Sequence, residues 1–125
     1  MISGDAIATV GVRDMRVARD FYEKKLGLTP AENRGGEEVM TYKAGKSTLF
    51  VYRTKEAGSN HATGVTWPVG NRVDETVKEL KAKGVGFEHY DLPDMKREGD
   101  VHVAGDMRAA WFKDPDGNIH ALVSG

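Results

Sequence analysis

The sequence contains no cysteine among its 125 residues. Disulfide bonds and thiolate metal sites are therefore excluded, and the chain fits a reducing compartment. No apolar run approaches the roughly 18 residues of a membrane span. The start of the chain, Met1 to Asp5, lacks the basic and apolar regions of a signal peptide. We therefore expect a cytoplasmic protein that does not associate with a membrane.

The sequence also has no excess of one charge. It carries 18 Lys and Arg against 19 Asp and Glu, for a net charge of -1. The basic residues that do cluster lie at the ends of predicted helices, where cations interact favourably with the helix dipole. No segment is basic enough to attract a phosphate backbone, so we expect no nucleic-acid partner.

A chain of this length, 39% apolar, predicts one domain with one core. Within it, Gly27 and Gly84 each follow a predicted helix, and they lie 57 residues apart. Repetition at such a period indicates two similar modules that share a core. We place module one at 1–58 and module two at 62–125, with the polar stretch Thr54 to Ala62 as the candidate linker.

The first module reads as a strand, a helix and further strands. A strand is predicted over Ala6 to Val12, and apolar residues at helical spacing predict a helix from Asp14 to Leu26. Asp14 is a suitable N-cap and Gly27 a suitable C-terminal glycine. Two strands follow, over Val39 to Ala44 and Thr48 to Arg53.

The second module repeats this order. A strand over Thr63 to Val69 precedes a helix with Asn71 as its predicted N-cap and Gly84 at its end. Leu92 to Gly99 is a polar loop, long enough to act as a lip or lid. The remaining strands are predicted over Val85 to Tyr90, Asp100 to Ala104 and Met107 to Phe112.

The chain ends in a predicted hairpin. The turn Asp114-Pro115-Asp116-Gly117-Asn118 combines a proline that presets φ, a glycine that accepts positive φ, and side chains that bond nearby backbone. The apolar runs on either side, Ala109 to Phe112 and Ile119 to Val123, predict paired strands. Two helices with strands in runs indicate an α+β fold.

These features resemble the vicinal oxygen chelate superfamily. The resemblance rests on Phe21-Tyr22 and Leu26-Gly27-Leu28 in the first helix, the repeated βαβββ module, and the turn that follows Trp111-Phe112-Lys113. The superfamily includes glyoxalase I, bleomycin-resistance proteins, extradiol dioxygenases and fosfomycin-resistance enzymes. The resemblance implies a curved, barrel-like cup of eight strands with the helices outside.

In metal-dependent members, the resemblance implies a divalent ion held by His, His or Gln, and Glu. The corresponding positions here are Ile7, Thr63 or Gly64, and Ala121. A divalent cation needs oxygen or imidazole donors, which isoleucine, glycine and alanine side chains lack. We therefore predict no metal at these positions and no cofactor, with a divalent metal possible only at a relocated site.

The histidines are the remaining candidates for chemistry. His120 neighbours Ala121, so strand alternation directs it toward the helices, as a core residue. His61 precedes the second module's first strand, and a slip of one or two residues would direct it into the cup. His102, near Asp100 and Asp106, is a candidate for acid/base or metal chemistry. His61 and His102 are thus the two catalytic candidates, and His89 is interpreted as a surface residue without a role.

Aromatic residues predict a different use of the cup. Trp111 alternates in step with Met107, and Trp67 with Val65, so both tryptophans are expected to line the cup and stack a planar ligand. Tyr42, Phe50 and Tyr52 are not assigned to a face. The predicted ligand-binding residues are Thr9, Arg53, Trp67, Met107 and Trp111.

Three functions remain open from the sequence. The leading one is metal-free binding of a small, planar or partly apolar molecule, sequestered as the resemblance to bleomycin-resistance proteins implies. The second is an enzyme, a glyoxalase-type lyase or isomerase or a dioxygenase, with a relocated metal or a metal-independent site of His and acidic residues. The third is a non-catalytic interaction module. In each case we expect a homodimer.

Overall fold

The computed structural model describes residues 7–31 and 38–124. These form an α+β structure, as predicted, in which ten strands and two α-helices follow one another along the chain. In chain order the elements are β1 (Ala8–Val12), α1 (Met15–Arg19), β2 (Thr29–Pro30), β3 (Val39–Ala44), β4 (Ser47–Arg53), β5 (Thr63–Pro68), α2 (Val73–Ala82), β6 (Phe87–Glu88), β7 (Lys96–Glu98), β8 (Val101–Ala104), β9 (Met107–Lys113) and β10 (Ile119–Val123). The predicted first strand began at Ala6, which lies outside the described residues.

The strands form two sheets with the same internal order. The first sheet is β1-β4-β3-β2, and the second contains β5-β10-β9 with β6 beside β9. In both, the first and last strands of the module pair in parallel and the other pairs are antiparallel. Among the described residues the two sheets do not close into a barrel.

The second sheet has an additional hairpin, β7–β8, which pairs with the first half of β9. Its first strand, Lys96–Glu98, falls within the segment Leu92 to Gly99 that was predicted as a loop. That prediction is wrong for these three residues because alternation cannot be recognised in so short and so polar a strand. The strand is fully exposed and lies at the sheet edge, where charged side chains are common.

Helix α1 starts as predicted. The Asp14 carboxylate accepts hydrogen bonds from the backbone N–H groups of Arg16, at 2.8 Å, and Val17, at 3.3 Å. After Arg19 the helix continues as a π-helical segment, Asp20–Lys25, and the chain then leaves it through Gly27 at φ +73°. The predicted helix from Asp14 to Leu26 is therefore present, although its second half is wound more widely than an α-helix.

Helix α2 starts differently from the prediction. Asn71 lies within a 3₁₀ turn, Gly70–Arg72, and the N-cap position is Arg72, whose side chain makes no capping hydrogen bond. The prediction of Asn71 as the cap is wrong because this turn displaces the helix start. Gly84 follows the end of α2 and adopts φ +88°, which agrees with the prediction that it ends this helix.

One core extends across both modules. The helix residues Phe21 and Tyr22 lie in the same buried cluster as Phe112 of the second sheet. His120 is fully buried, and its ring lies 4.9 Å from that of Phe112 and 5.7 Å from that of Tyr22. The prediction that His120 faces the helices is confirmed.

The predicted turn between β9 and β10 is also present, and it contacts the first module. Asp114 Oδ1 accepts from the backbone N–H groups of Asp116 and Asn118, while Gly117 adopts φ +94°. The Asn118 amide donates to the carbonyl of Gly11 at 2.7 Å. No helix in the described part of the chain is both long and apolar enough to cross a membrane.

Candidate functional site

Each sheet has one face against the helices and one face away from them, which we call the cup face. On β1, Val10 and Val12 are buried on the helix side, so Thr9 and Gly11 belong to the cup face. Their partners on β4 are Phe50 and Tyr52, which therefore lie on the cup face as well.

Tyr42 lies on the opposite side of this sheet. It is buried in the core, and its hydroxyl donates to Glu23 at 2.8 Å. Burial, followed by this hydrogen bond, raises the pKa of the Tyr42 hydroxyl. The faces of all three aromatic residues left open by the sequence are thereby assigned.

On the second sheet, strand register defines the cup face. Ala121 pairs with Trp111 on one side and Thr66 on the other, and Ala109 pairs with His102. Directly paired residues project from the same face of a sheet, so all five belong to one surface. Ala109 and Ala121 are buried, and these small side chains form a floor beside the Trp111 indole.

An aromatic cluster stands on this floor. The rings of His102 and Trp111 meet edge to face with their centroids 4.9 Å apart, and Tyr90 meets Trp111 edge to face at 5.4 Å. Such edge-to-face pairs align the positive edge of one ring with the negative face of another. Tyr90 was not among the predicted site residues, although it lies two residues beyond Glu88, which pairs with Trp111.

His102 is almost completely buried in this cluster, with 1% of its surface exposed. Its Nε2 accepts from the backbone N–H of Tyr90 at 3.0 Å, which places the proton of the neutral ring on Nδ1. Nδ1 is buried and has no hydrogen-bond partner among the described residues. A buried donor without a partner is costly, which makes this nitrogen a candidate for contact with a ligand.

A cavity of about 230 Å³ lies at the seam between β1 and β5. Thr9 and Tyr52 line it from the first sheet and Gly64 from the second, with Glu56 and Asn60 contributed by the segment that joins the modules. Its lining is largely polar. The predicted linker is therefore a packed wall of this cavity.

Gly64 lies at an irregularity of the second sheet. The pairing of β10 with β5 passes from Ile119 opposite Thr63 to His120 opposite Val65, so Gly64 has no partner. Because the pairing shifts at this point, counting along the strand does not decide whether Thr63 or Gly64 occupies the implied metal-ligand position. A Cβ atom at Gly64 would meet only the carbonyl of Ile119, at 3.8 Å.

The donor set at the positions implied for a metal does not fit a divalent ion. Ile7, Gly64 and Ala121 offer no oxygen or imidazole side chain. Elsewhere among residues 7–31 and 38–124, no three His, Asp or Glu side chains are grouped so that they would hold a metal ion.

Trp67 does not face the cup, and the expectation that it does is wrong. Its side chain projects to the helix side with Val65, and its Nε1–H donates to His120 Nδ1 at 2.9 Å. Alternation along β5 shows that Trp67 and Val65 share a face, but it does not show whether that face packs against the helices. Here the buried His120 Nδ1, which accepts from the indole N–H, fixes Trp67 on the helix side. A role of Trp67 in ligand binding stays a prediction.

The other predicted site residues are dispersed. Arg53 is exposed at the end of β4, 3.4 Å from Glu38, and lines a separate cleft with Arg13 and Lys55. His61 is exposed in the loop before β5. Met107 is 54% exposed on the cup face of β9, in step with Trp111. The structure thus brings His102 and Trp111 into contact and places Met107 on the same face, whereas Thr9 lies at the seam.

Behind the cup, buried polar groups form a chain of hydrogen bonds. Because His120 Nδ1 accepts from Trp67, its proton lies on Nε2, which donates to the Tyr22 oxygen at 3.1 Å. Tyr22 in turn donates to Asp114 Oδ2 at 2.8 Å. Burial lowers the pKa of His120 to about 4, and burial with the adjacent Asp114 raises the pKa of Tyr22.

Comparison with models of known families identifies the family to which this chain is related. Residues 6–122 match the family model described as Glyoxalase/Bleomycin resistance protein/Dioxygenase superfamily. The chain belongs to this superfamily. The resemblance read from the sequence is therefore confirmed, and superfamily membership accounts for the two related sheets and the Asp114–Asn118 turn. A search of curated proteins found no match.

Solved structures show the same fold at low identity. The fosfomycin resistance protein FosX from Listeria monocytogenes is 19% identical, with a TM-score of 0.73 over 100% of this chain and 93% of that one. Its E126Q mutant, complexed with Mn(II) and 1S,2S-dihydroxypropylphosphonic acid, is 21% identical with a TM-score of 0.70, over 100% and 92%. A hypothetical protein from S. aureus is 21% identical with a TM-score of 0.69, over 100% and 99%.

Proposed function

We propose that this superfamily member binds a small, planar, partly apolar molecule on the cup face of its second sheet, without a metal at the family positions. The observation that carries the proposal is the aromatic cluster of Tyr90, His102 and Trp111 beside the floor formed by Ala109 and Ala121. A half-buried indole next to small side chains offers a flat stacking surface.

The side chains at the metal positions support the metal-free part of the proposal. FosX has been crystallised with Mn(II), whereas the present chain has Ile7, Gly64 and Ala121 where metal ligands are implied. Ala121 stands directly opposite Trp111. The implied position of a ligating carboxylate is thus occupied by the Ala121 methyl group. The Trp111 indole therefore has no charged group beside it at this position.

Metal analysis and fluorescence test the proposal together. Protein purified without chelators should contain far less than one divalent ion per chain, and a stoichiometric ion would overturn the metal-free proposal. The chain has two tryptophans, so Trp67→Phe leaves Trp111 as the sole reporter. Saturable quenching of this variant by planar probes such as 1-naphthol and 4-nitrobenzoate is the expected result. Linear quenching with every probe would overturn ligand binding at the cup.

An enzymatic function is the second candidate, and the unpartnered Nδ1 of His102 favours it. In this interpretation the Nδ1–H of the neutral imidazole donates a hydrogen bond that polarises a ligand held against Trp111. A ligand from the first experiment that is chemically altered by the wild-type chain, but only bound by His102→Asn, would support catalysis. Binding without any turnover by the wild type would support sequestration.

We also propose that the chain forms a homodimer through its cup faces. Large exposed apolar side chains lie on these faces, namely Ile7 at 43%, Tyr52 at 40% and Met107 at 54% exposure. Exposed apolar groups on one surface are typical of interfaces. Light scattering should give twice the chain mass for the wild type and a lower mass for Tyr52→Lys. A monomeric wild type at micromolar concentration would overturn the dimer.

A further inference from the structure

Trp67 lines two cavities, neither of which has Tyr90, His102 or Trp111 in its lining. The smaller has a volume of about 140 Å³, and its apolar wall is formed by Leu26, Leu80, Phe112 and Leu122. The larger has a volume of about 560 Å³ and is lined by the ends of both sheets. Leu28, Trp67 and Val69 line both cavities, so the two adjoin at the indole.

The indole is held in a fixed orientation at this junction. Its N–H is bonded to His120 Nδ1, and the two rings are nearly coplanar, with 6° between their planes. The polar edge of the indole is therefore satisfied within the protein. What it presents to the cavities is carbon surface, which favours an apolar ligand group.

The two cavities differ in chemistry. The smaller one has a single polar residue, Thr76, in its lining. It opens to solvent on one side, and its apolar lining suits a single ring or a branched alkyl group. The larger one is lined by four residues with hydroxyl groups, Thr29, Ser47, Thr48 and Thr66, by a single cationic residue, Lys43, and by no Asp or Glu.

We infer that Trp67 marks a second binding site, for a small amphipathic anion such as a monocarboxylate carrying one ring or a branched alkyl group. The apolar group occupies the smaller cavity against the indole, and the carboxylate lies in the larger one toward Lys43. The site uses none of Tyr90, His102 and Trp111, although Lys43 and Thr66 in the larger cavity belong to the cup faces of their sheets by strand register. The inference therefore does not depend on the proposed cup function.

NMR of the ¹⁵N-labelled full chain tests the inference with phenylacetate as the probe. The two indole N–H signals are assigned by Trp67→Phe and Trp111→Phe, since the chain has two tryptophans. Phenylacetate should shift the Trp67 signal saturably and leave that of Trp111 unchanged. No shift, a shift of Trp111 alone, or a shift that never saturates would overturn the second site.

Charge selectivity tests the class of ligand. Phenylacetamide, which has the same ring but no charge, should bind about threefold to fivefold more weakly, as expected for a partly exposed ion pair. Lys43→Gln should weaken phenylacetate binding to a similar extent and leave phenylacetamide unaffected. Lys46→Gln is the matched control, because Lys46 lies in the turn that follows β3 and is not part of the cavity lining. Equal binding of acid and amide, or equal effects of the two lysine substitutions, would overturn the anionic ligand.

Occupancy of the smaller cavity is tested separately. Val69→Phe adds a ring where the two cavities adjoin, and it should abolish the Trp67 shift while the remaining amide spectrum keeps its dispersion. Unchanged phenylacetate binding in folded Val69→Phe would place the probe elsewhere and overturn the inference. If this variant does not fold, the comparison of Lys43→Gln with Lys46→Gln still decides.

Discussion

The hydroxyl of Tyr22 lies 2.8 Å from Oδ2 of Asp114, although the two residues are 92 positions apart. Tyr22 belongs to the first module's helix, and Asp114 begins the turn that closes the second module's hairpin. Asp114 Oδ1 meanwhile accepts from two backbone N–H groups of its own turn. One carboxylate thus holds the turn in shape and joins it to the other module.

Replacement of Tyr22 by phenylalanine should destabilise the whole domain. The substitution leaves Asp114 Oδ2 with one partner fewer and the His120 Nε2–H without its acceptor, and both groups are buried. We expect a loss of about 1–3 kcal/mol in the free energy of unfolding. Urea denaturation followed by circular dichroism measures it. Tyr52→Phe, which keeps the ring and removes only a hydroxyl from a residue that is 40% exposed in the single chain, is the control and should change stability by less than about 0.5 kcal/mol. Equal losses in the two variants would contradict the role of the bond.

Stability should fall as the pH is lowered from about 6.5 to about 4 because His120 resists protonation. Its pKa is depressed in the folded state, so in this window the unfolded chain binds a proton that the folded chain does not. The loss approaches 1.4 kcal/mol per pH unit and totals about 3 kcal/mol from this residue.

Two measurements check this pH dependence. Urea denaturation of the wild type across the window should show the loss, and His120→Gln, which cannot titrate, should show a flatter profile. Proton NMR of the wild type should give a titration midpoint of about 4 for the His120 ring. A midpoint near the ordinary value of ~6.5 would contradict the explanation.

The parts of this structure that the sequence predicts are those set by neighbours in the chain. Asp14 caps the first helix, and Asp114 to Asn118 form the turn, because the groups they bond lie within four residues. The side of the sheet that Trp67 occupies is set instead by His120, 53 positions away. Alternation along β5 is compatible with either side, so no local pattern reveals it.

In the candidate site, too, some contacts follow from neighbours in the sequence and others depend on distant residues. Trp111 and Met107 share a face by alternation alone, which the sequence predicts. Tyr90 joins them because its backbone N–H bonds His102, twelve positions further along the chain. The loop between these residues has no periodic pattern, so this contact is a property of the packed sheet and its added hairpin.

The two buried histidines should be neutral in opposite tautomers. The backbone N–H of Tyr90 donates to His102 Nε2, whereas the indole N–H of Trp67 donates to His120 Nδ1. The ring proton must then lie on Nδ1 in His102 and on Nε2 in His120. Long-range ¹H–¹⁵N correlation spectra at pH 8 distinguish the two forms by the shifts of the ring nitrogens. Identical patterns for both rings would contradict one of these hydrogen bonds.

Gly58 should tolerate alanine far less well than Gly45. Both adopt positive φ, +75° and +61°, so either substitution adds the strain of a side chain in the left-handed region, about 1–2 kcal/mol. At Gly58 the added Cβ would also lie 1.9 Å from the carbonyl oxygen of Asp116, whereas at Gly45 nothing lies within 4 Å. Relieving that overlap requires the joining segment to move away from the turn, at a further cost of about 1–3 kcal/mol. Urea denaturation of Gly58→Ala and Gly45→Ala measures the difference, and equal losses would show that this segment is not packed against the turn in solution.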